Sequence, residues 1–408
     1  MRRLLAVGAV LMLAALTAVG CGRRGAVRGD ESAGLRGHLV IIGGGLRREN
    51  TAVYERILEL AGGRESARVA VLPTASGVPR ESGPAVVEDF VRLTGRPDAA
   101  FVVPITTDNP EAAADPAMVA LLLEATAVFF TGGVQERIVA VLRPDGVSSP
   151  ADAAVRAVLA RGGVVAGTSA GAAMMSDPMI RWGNSAEALL AGLTCDGEDR
   201  AVCLTPGMGF FPFGLTDQHF LRRGRLGRLI VALQDGGIGL GYGVDDNRAM
   251  VVDLARGELT FLGDRAVLMV DVREATRDGL NRKGVRVALL GEGDRVDART
   301  GIATPDPSKT AIETPRFMNL RQPYSREPWG PWVASNLIER MALDPALGAS
   351  ATDDTIGFHL SRDERTRFFH RADSPQSLTA IGVRLDVVAL DGAAAAARAV
   401  HEDLQAGP

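Results

Sequence analysis

"HLVIIGGGLRRENTAVYERILELAGGRESARVAVLPTAS", residues 38–76, decides how the chain folds. It opens on a short apolar run that ends in three glycines. Apolar residues at helical spacing follow, up to a glycine stop, and a second apolar run closes the stretch. The spacing predicts strand, helix, strand. The beat then repeats down the chain. "ESGPAVVEDFVRLTG" (81–95) predicts a helix, "AAFVVPI" (99–105) a strand, "DPAMVALLLEA" (115–125) a helix and "AVFFTGG" (127–133) a strand. Two more helical patterns, "QERIVAVLR" (135–143) and "PADAAVRAVLARGG" (150–163), lead into the strand "VVAGTSA" (164–170). Continuous apolar runs suit strands buried on both faces, so the alternation predicts an α/β fold with a mostly parallel sheet flanked by helices. In such sheets a site forms beyond the carboxyl ends of the strands.

Past about residue 238 the texture becomes β-rich. "GYGVDDNRAMVVD" (241–253), "ELTFLGDRAVLMVDV" (258–272) and "VRVALLGEGDRV" (285–296) predict strands that extend or cap the sheet. One domain is expected over 38–302. A C-terminal extension over 303–408 carries a helical pattern at "WVASNLIERMAL" (332–343), a strand pattern at "LTAIGVRLDVVAL" (378–390) and the alanine-rich "DGAAAAARAVHEDL" (391–404). No internal repeat is evident, and no chemistry is legible in the extension.

The chain has 408 residues, 46% of them hydrophobic, enough for a sizeable core. Its formal net charge of -4 offers no general basic surface, which argues against nucleic acid as a partner. At the N-terminus, Arg2 and Arg3 precede an uncharged apolar run from Leu4 to Gly20 and then Cys21, the pattern of an export signal over residues 1–21. "TAVGC" resembles a lipobox whose cysteine would be lipidated, with Ala18 where leucine is more usual. Simple secretion and an uncleaved anchor are the alternatives. Residues 22–37 would be a flexible tether, and the expected location is periplasmic or extracellular, with membrane contact only through the lipid. Cys195 and Cys203 are then an even pair in an oxidising compartment, so a disulfide is expected, worth roughly 2–3 kcal/mol in the chain-entropy account. No cysteine, histidine or carboxylate cluster has metal-ligand spacing, and neither a metal nor another cofactor is expected.

Chemistry concentrates in two stretches. "GTSAG" (167–171) places Ser169 directly after a strand pattern and before a helix pattern, the setting of a nucleophile elbow. Gly167 and Gly171 supply the small neighbours that so sharp a turn needs, and Ala170 offers a backbone N–H to an oxyanion. The bland reading is a serine in a glycine-rich structural turn. The base would be His219, the only histidine between residues 39 and 358. It sits in "TDQHFLRRGRLGRL" (216–229), beside Asp217, Gln218 and an arginine cluster. On a helix starting near residue 223, Arg225 and Arg228 share one face at the rim of the stripe Leu226, Leu229 and Leu233. There their guanidinium forks could bind substrate carboxylates, whereas a solvated cluster would sit opposite the leucines.

Four stretches in register, "FFTGGVQERI" (129–138), "VVAGTSAGAAMMSDPMI" (164–180), "DQHFLRRGRLGRLI" (217–230) and "GYGVDDNRAMVV" (241–252), resemble the cyanophycinase branch of the S51 serine peptidases, related to aspartyl dipeptidase. The resemblance spans residues 38–302 and implies a class I glutamine-amidotransferase-like, flavodoxin-like fold. It implies cleavage of cyanophycin, an aspartate polymer with arginine on each side-chain carboxyl, into β-Asp-Arg dipeptides. Related isoaspartyl or acidic peptides are the other substrates it admits. By resemblance Ser169 is the nucleophile, His219 the base and Glu187 the orienting carboxylate, with Asp177 and Asp217 as rivals. Gly133 and Ala170 match the oxyanion-hole donors. Gln135, Asp217, Gln218, Arg223, Arg225 and Arg228 match the substrate pocket, and a homodimer is the family expectation. The chain departs from the family in Val134, where aspartate is usual, and in Asp246 and Arg248, which replace glutamate and threonine. A binding lipoprotein that keeps the pocket without turnover is the competing reading.

Overall fold

The structure, a computed structural model, describes residues 34–196, 200–313, 321–344, 346–372 and 374–406. The export signal and Cys21 lie outside the described residues. Within the expected tether, residues 34–37 already pack on the protein: Arg36 N donates to Leu159 O, and Gly37 abuts the carbonyl of Gly163.

Strand β1 (His38–Ile42) leads to α1 (Thr51–Leu60), β2 (Val69–Leu72), α2 (Pro79–Thr94) and β3 (Ala100–Val102). Then come α3 (Pro116–Glu124), β4 (Ala127–Phe130), α4 (Gln135–Leu142), α5 (Pro150–Ala160), β5 (Val164–Thr168) and the four-residue α6 (Ala170–Ala173). These five strands pair in parallel in the order β1-β5-β4-β2-β3. Period-two alternation sends Leu39 and Ile41 into the core on one face and Val40 and Ile42 into that on the other, and neighbouring strands divide likewise. Both faces are dry, which is why the strands read as unbroken apolar runs. Helix starts follow local chemistry: Asp115 accepts from Ala117 N and Ser149 from Asp152 N, each followed by proline, whose missing N–H costs nothing at that position.

Beyond α6 the chain forms β6 (Met179–Trp182), α7 (Ser185–Ala191), β7 (Cys203–Thr205), β8 (Leu215–Asp217), α8 (Leu226–Gly236), β9 (Leu240–Val244) and β10 (Ala249–Asp253). Helix α8 begins three residues later than the sequence pattern predicts, because Gly224 takes a left-handed φ of 57° and Arg225 becomes the residue before the helix. Strand β10 joins β1 antiparallel and carries the first sheet on through residues 258–262, 295–297 and 302–304 to nine strands. A second, eleven-stranded sheet begins at β8 and β9 and continues through residues 267–271, 281–290, 374–389, 356–361 and 348–352. The 16-residue strand over 374–389 pairs with that at 281–290, so the second sheet draws strands from both sides of residue 302. A disulfide joins Cys195, in the loop after α7, to Cys203, the first residue of β7.

Phe129 is buried in β4 and meets Phe90 of α2 edge-on, ring centroids 6.0 Å apart. Phe129→Ala should lower the unfolding free energy by about 3–5 kcal/mol in a urea titration. A loss below about 1 kcal/mol, the level of an ordinary surface change, would contradict this packing.

Candidate active site

Ser169 stands where β5 turns into α6, with φ 54° and ψ -109°, a backbone that side chains other than glycine seldom adopt. The two flanking glycines make the turn sterically feasible. A Cβ on Gly167 would lie 2.3 Å from Gly171 O, and one on Gly171 would lie 2.7 Å from Phe130 O. Ser169 N donates to Ile42 O across the β5–β1 seam, and Ser169 O accepts from Ala172 N and Ala173 N. The hydroxyl is thereby lifted clear of the sheet end. Ala170, as first residue of α6, has no intrahelical acceptor for its N–H. The Gly132–Gly133 turn covers the serine, since a Cβ on Gly132 would be 3.4 Å from Ser169 Cβ. Gly133 has φ 146°, and a Cβ there would strike Ala75 O at 1.9 Å, so only glycine fits.

His219 reaches the same point from the end of β8. Its backbone is left-handed, φ 49°, and its N–H donates to Gly43 O at 2.6 Å. Its Nε2 lies 2.9 Å from Ser169 Oγ. On the far side of the ring, Nδ1 pairs with Asp246 Oδ1. Gly44 makes room for this ring: with φ 123°, a Cβ on it would sit 2.1 Å from His219 Cε1. Asn247 N donates to Gly44 O, which ties the loop carrying Asp246 to the same glycines. Burial outweighs the Asp246 carboxylate, and Arg223 and Arg225 add to it, so the imidazole titrates below the ordinary histidine value of 6.5. At neutral pH it is therefore neutral, able to accept a proton from the hydroxyl.

The carboxylate behind the histidine is a correction to the sequence expectation. Glu187 does not meet His219: it lies in the first turn of α7, where its N–H donates to Asn184 Oδ1 and its Oε2 accepts from Asn184 Nδ2. The rivals are engaged elsewhere too, Asp177 with Gly207 N and Asp217 with Arg228. Asp246 follows β9 in "GYGVDDNRAM", and the sign that pointed to it was an acid replacing an acid in the last of the four resembling stretches.

The expected pocket divides. Asp217 and Arg228 form a buried ion pair, Arg228 Nε donating to Asp217 Oδ2 at 2.8 Å while its Nη1 donates to Gly183 O. Neither is offered to a ligand. Gln135 spends its amide N–H groups on the carbonyls of Ile180 and Arg181 and so braces β6 rather than a ligand. Gln218, Arg223 and Arg225 remain available. Gln218 is buried and its Oε1 has no hydrogen-bond partner among the described residues. Arg225 donates to Gln218 O, and its nearest carboxylate oxygen is 3.7 Å away on Asp217, already claimed by Arg228. Burial, with Arg228 next in weight, presses its guanidinium down to about 9, still protonated at neutral pH and short of a counter-anion. Arg223 is exposed and forms no ion pair among the described residues. Among the described residues no cluster of histidine, cysteine and carboxylates could hold a metal.

An activated hydroxyl on an elbow, with an imidazole behind it, is the apparatus of a serine hydrolase. The chain belongs to peptidase family S51, whose sequence model matches residues 39–259. It is 29% identical over 276 residues to the cyanophycinase of Geminocystis herdmanii, covering 65% of this chain and 95% of that one. It is 30% identical over 281 residues to the cyanophycinase of Synechococcus elongatus, covering 66% and 82%. Among solved structures, a peptidase from an acI-B1 actinobacterium aligns over 64% of this chain and 96% of its own, at 20% identity and a TM-score of 0.43.

If Asp246 orients His219, Asp246→Asn should lower kcat by about 10³–10⁴-fold, as expected when the wrong imidazole tautomer is imposed. Glu187→Gln should stay within about twofold of wild type, since a half-buried carboxylate that bonds Asn184 and not the ring alters little. Steady-state kinetics on both variants decide between the acids, and the reverse ranking would restore Glu187.

Proposed function

We propose that this enzyme hydrolyses β-aspartyl amide bonds, with cyanophycin or related isoaspartyl peptides as substrate. The observation that carries the reading is the 2.9 Å contact between Ser169 Oγ and a neutral His219, beside the undercompensated guanidinium of Arg225. Ser169 Oγ attacks the amide carbonyl carbon while its proton passes to His219 Nε2. The N–H groups of Gly133 and Ala170 receive the oxyanion. The C–N bond then breaks, with the imidazolium proton going to the leaving amine, and water deprotonated by the same imidazole releases the acid. Asp246 holds the ring and stabilises its charged form. Arg225 and Arg223 would take the substrate's free carboxylate, and Gln218 Oε1 would accept from its amide or ammonium N–H.

The scaffold is read as class I glutamine-amidotransferase-like, with serine in place of that fold's cysteine. Export as a lipoprotein is part of the same proposal, supported by the apolar leader ending at Cys21 and by the Cys195–Cys203 disulfide, which suits an oxidising compartment. Val134, exposed at the start of α4, presents an apolar face where the resemblance calls for an acid. The substrate's second residue therefore meets a surface without a countercharge at that position.

Incubation with purified cyanophycin and with β-aspartyl dipeptides carrying arginine or neutral residues tests the substrate class. Release of β-Asp-Arg, abolished by Ser169→Ala in a folded protein, is expected; turnover that survives the substitution would overturn the assignment. The kcat/KM profile should rise with pH through a midpoint below 6.5, because the base must be neutral and burial lowers its pKa. Arg225→Ala should reduce kcat/KM by about 10–100-fold, the worth of a charge-assisted hydrogen bond. An unchanged value would remove Arg225 from the substrate site.

A further inference from the structure

The segment over residues 328–334 lies well beyond the family match at 39–259, yet it packs against the stretch that carries His219. The fit leaves no slack. Gly224, left-handed at φ 57°, would drive a Cβ to 1.8 Å from Trp329 O. Trp332 N donates to Leu221 O at 2.7 Å, with Trp332 itself at φ 56°, a conformation that persists only where surroundings enforce it. From there its indole Nε1 donates to Asp245 Oδ2 at 2.9 Å. The other oxygen of that buried carboxylate accepts from Arg222 N at 2.8 Å. Arg222 closes the circuit: its Nε lies 3.2 Å from Asp246 Oδ2, and its guanidinium carbon stands 5.8 Å from the centre of the Trp332 ring.

We propose that Trp332 is a positioning residue for the hydrolytic site, a latch from the C-terminal extension that fixes Asp246 behind His219 through Asp245 and Arg222. Asp246 uses Oδ1 on the imidazole and Oδ2 on Arg222, so its rotation is set by both partners. Arg222 is 55% exposed along its side chain, and an ion pair so open to water holds a geometry weakly by itself. What restrains it is the ring on one side and the backbone bond to Asp245 on the other. Without the indole N–H, Asp245 keeps a buried carboxylate oxygen unpaired and the loop bearing both aspartates relaxes. Other groups facing His219 are Ser169, Arg223 and Arg225.

The inference rests on the proposed Ser169–His219 hydrolysis, and its test is chosen to separate the two. Trp332→Phe keeps the ring and deletes the donor; Arg222→Met keeps the stem and deletes the charge. Each should lower kcat about tenfold or more, with KM within about twofold, since a displaced base harms chemistry more than binding. In parallel, NMR of the full-length protein reads the downfield Nδ1 proton of His219, assigned by its absence in His219→Gln. That signal needs no turnover. It should be present in wild type and broadened or lost in Trp332→Phe at temperatures where the melting curve shows the variant folded. If Trp332→Phe fails to fold, Arg222→Met, altered at an exposed side chain, carries both readouts. Wild-type kcat and an unchanged resonance in the variants would overturn the latch. A fall in kcat that merely follows thermal instability, with the resonance unmoved, would overturn it too. Absence of turnover in wild type would instead count against the hydrolytic reading, with the resonance still deciding whether Trp332 positions the carboxylate.

Discussion

The imidazole of His219 has space only because residue 44 has no side chain. A Cβ on Gly44 would fall 2.1 Å from Cε1, inside the ring's own volume. The rest of the site hangs on this close approach. Gly43 O takes the His219 N–H, Gly44 O takes the Asn247 N–H, and Ile42 O takes the Ser169 N–H. Three segments far apart in the chain are thereby stitched to the end of β1, and the serine beyond β5 of the first sheet meets the histidine and aspartate beyond β8 and β9 of the second, all at the carboxyl ends of their strands. In parallel α/β sheets that edge is where loops converge, so the site falls where the topology leaves room for one.

Electrostatics at this edge are uneven. Asp217 and Arg228 neutralise each other in the dry interior, where breaking the pair would strand a charge. Arg225, one helical turn earlier, finds that carboxylate already occupied. A guanidinium held in a buried place without its own counter-ion is a standing demand for an anion. The same positive field, joined by Arg223, works with burial to keep His219 neutral.

The parallel sheet was legible because its strands are buried on both faces and so read as unbroken apolar runs. The second sheet was less so: the strand over 374–389 is long and pairs with residues as remote as Arg282 for Val387, and sequence spacing carries no such pairing. At the site, Ser169 announced itself by flanking glycines and His219 by scarcity. Glu187 was named by resemblance, with Asp177 and Asp217 as its rivals, and Asp246 was not among them, because an acid is brought to the imidazole by the three-dimensional return of the chain, which sequence spacing does not carry. Arg228 and Arg225 likewise look alike by spacing, since both adjoin the leucine stripe; only the fold shows that one is locked into Asp217. Trp332 left no sign at all, being more than a hundred residues from the histidine whose neighbourhood it completes.

Reaction of the folded protein with a fluorophosphonate, followed by peptide mapping in a mass spectrometer, tests the central geometry most directly. A single adduct on Ser169, formed in wild type and absent from His219→Ala, is the predicted result. An adduct on a different serine, or labelling of Ser169 that is indifferent to the loss of the imidazole, would contradict the account.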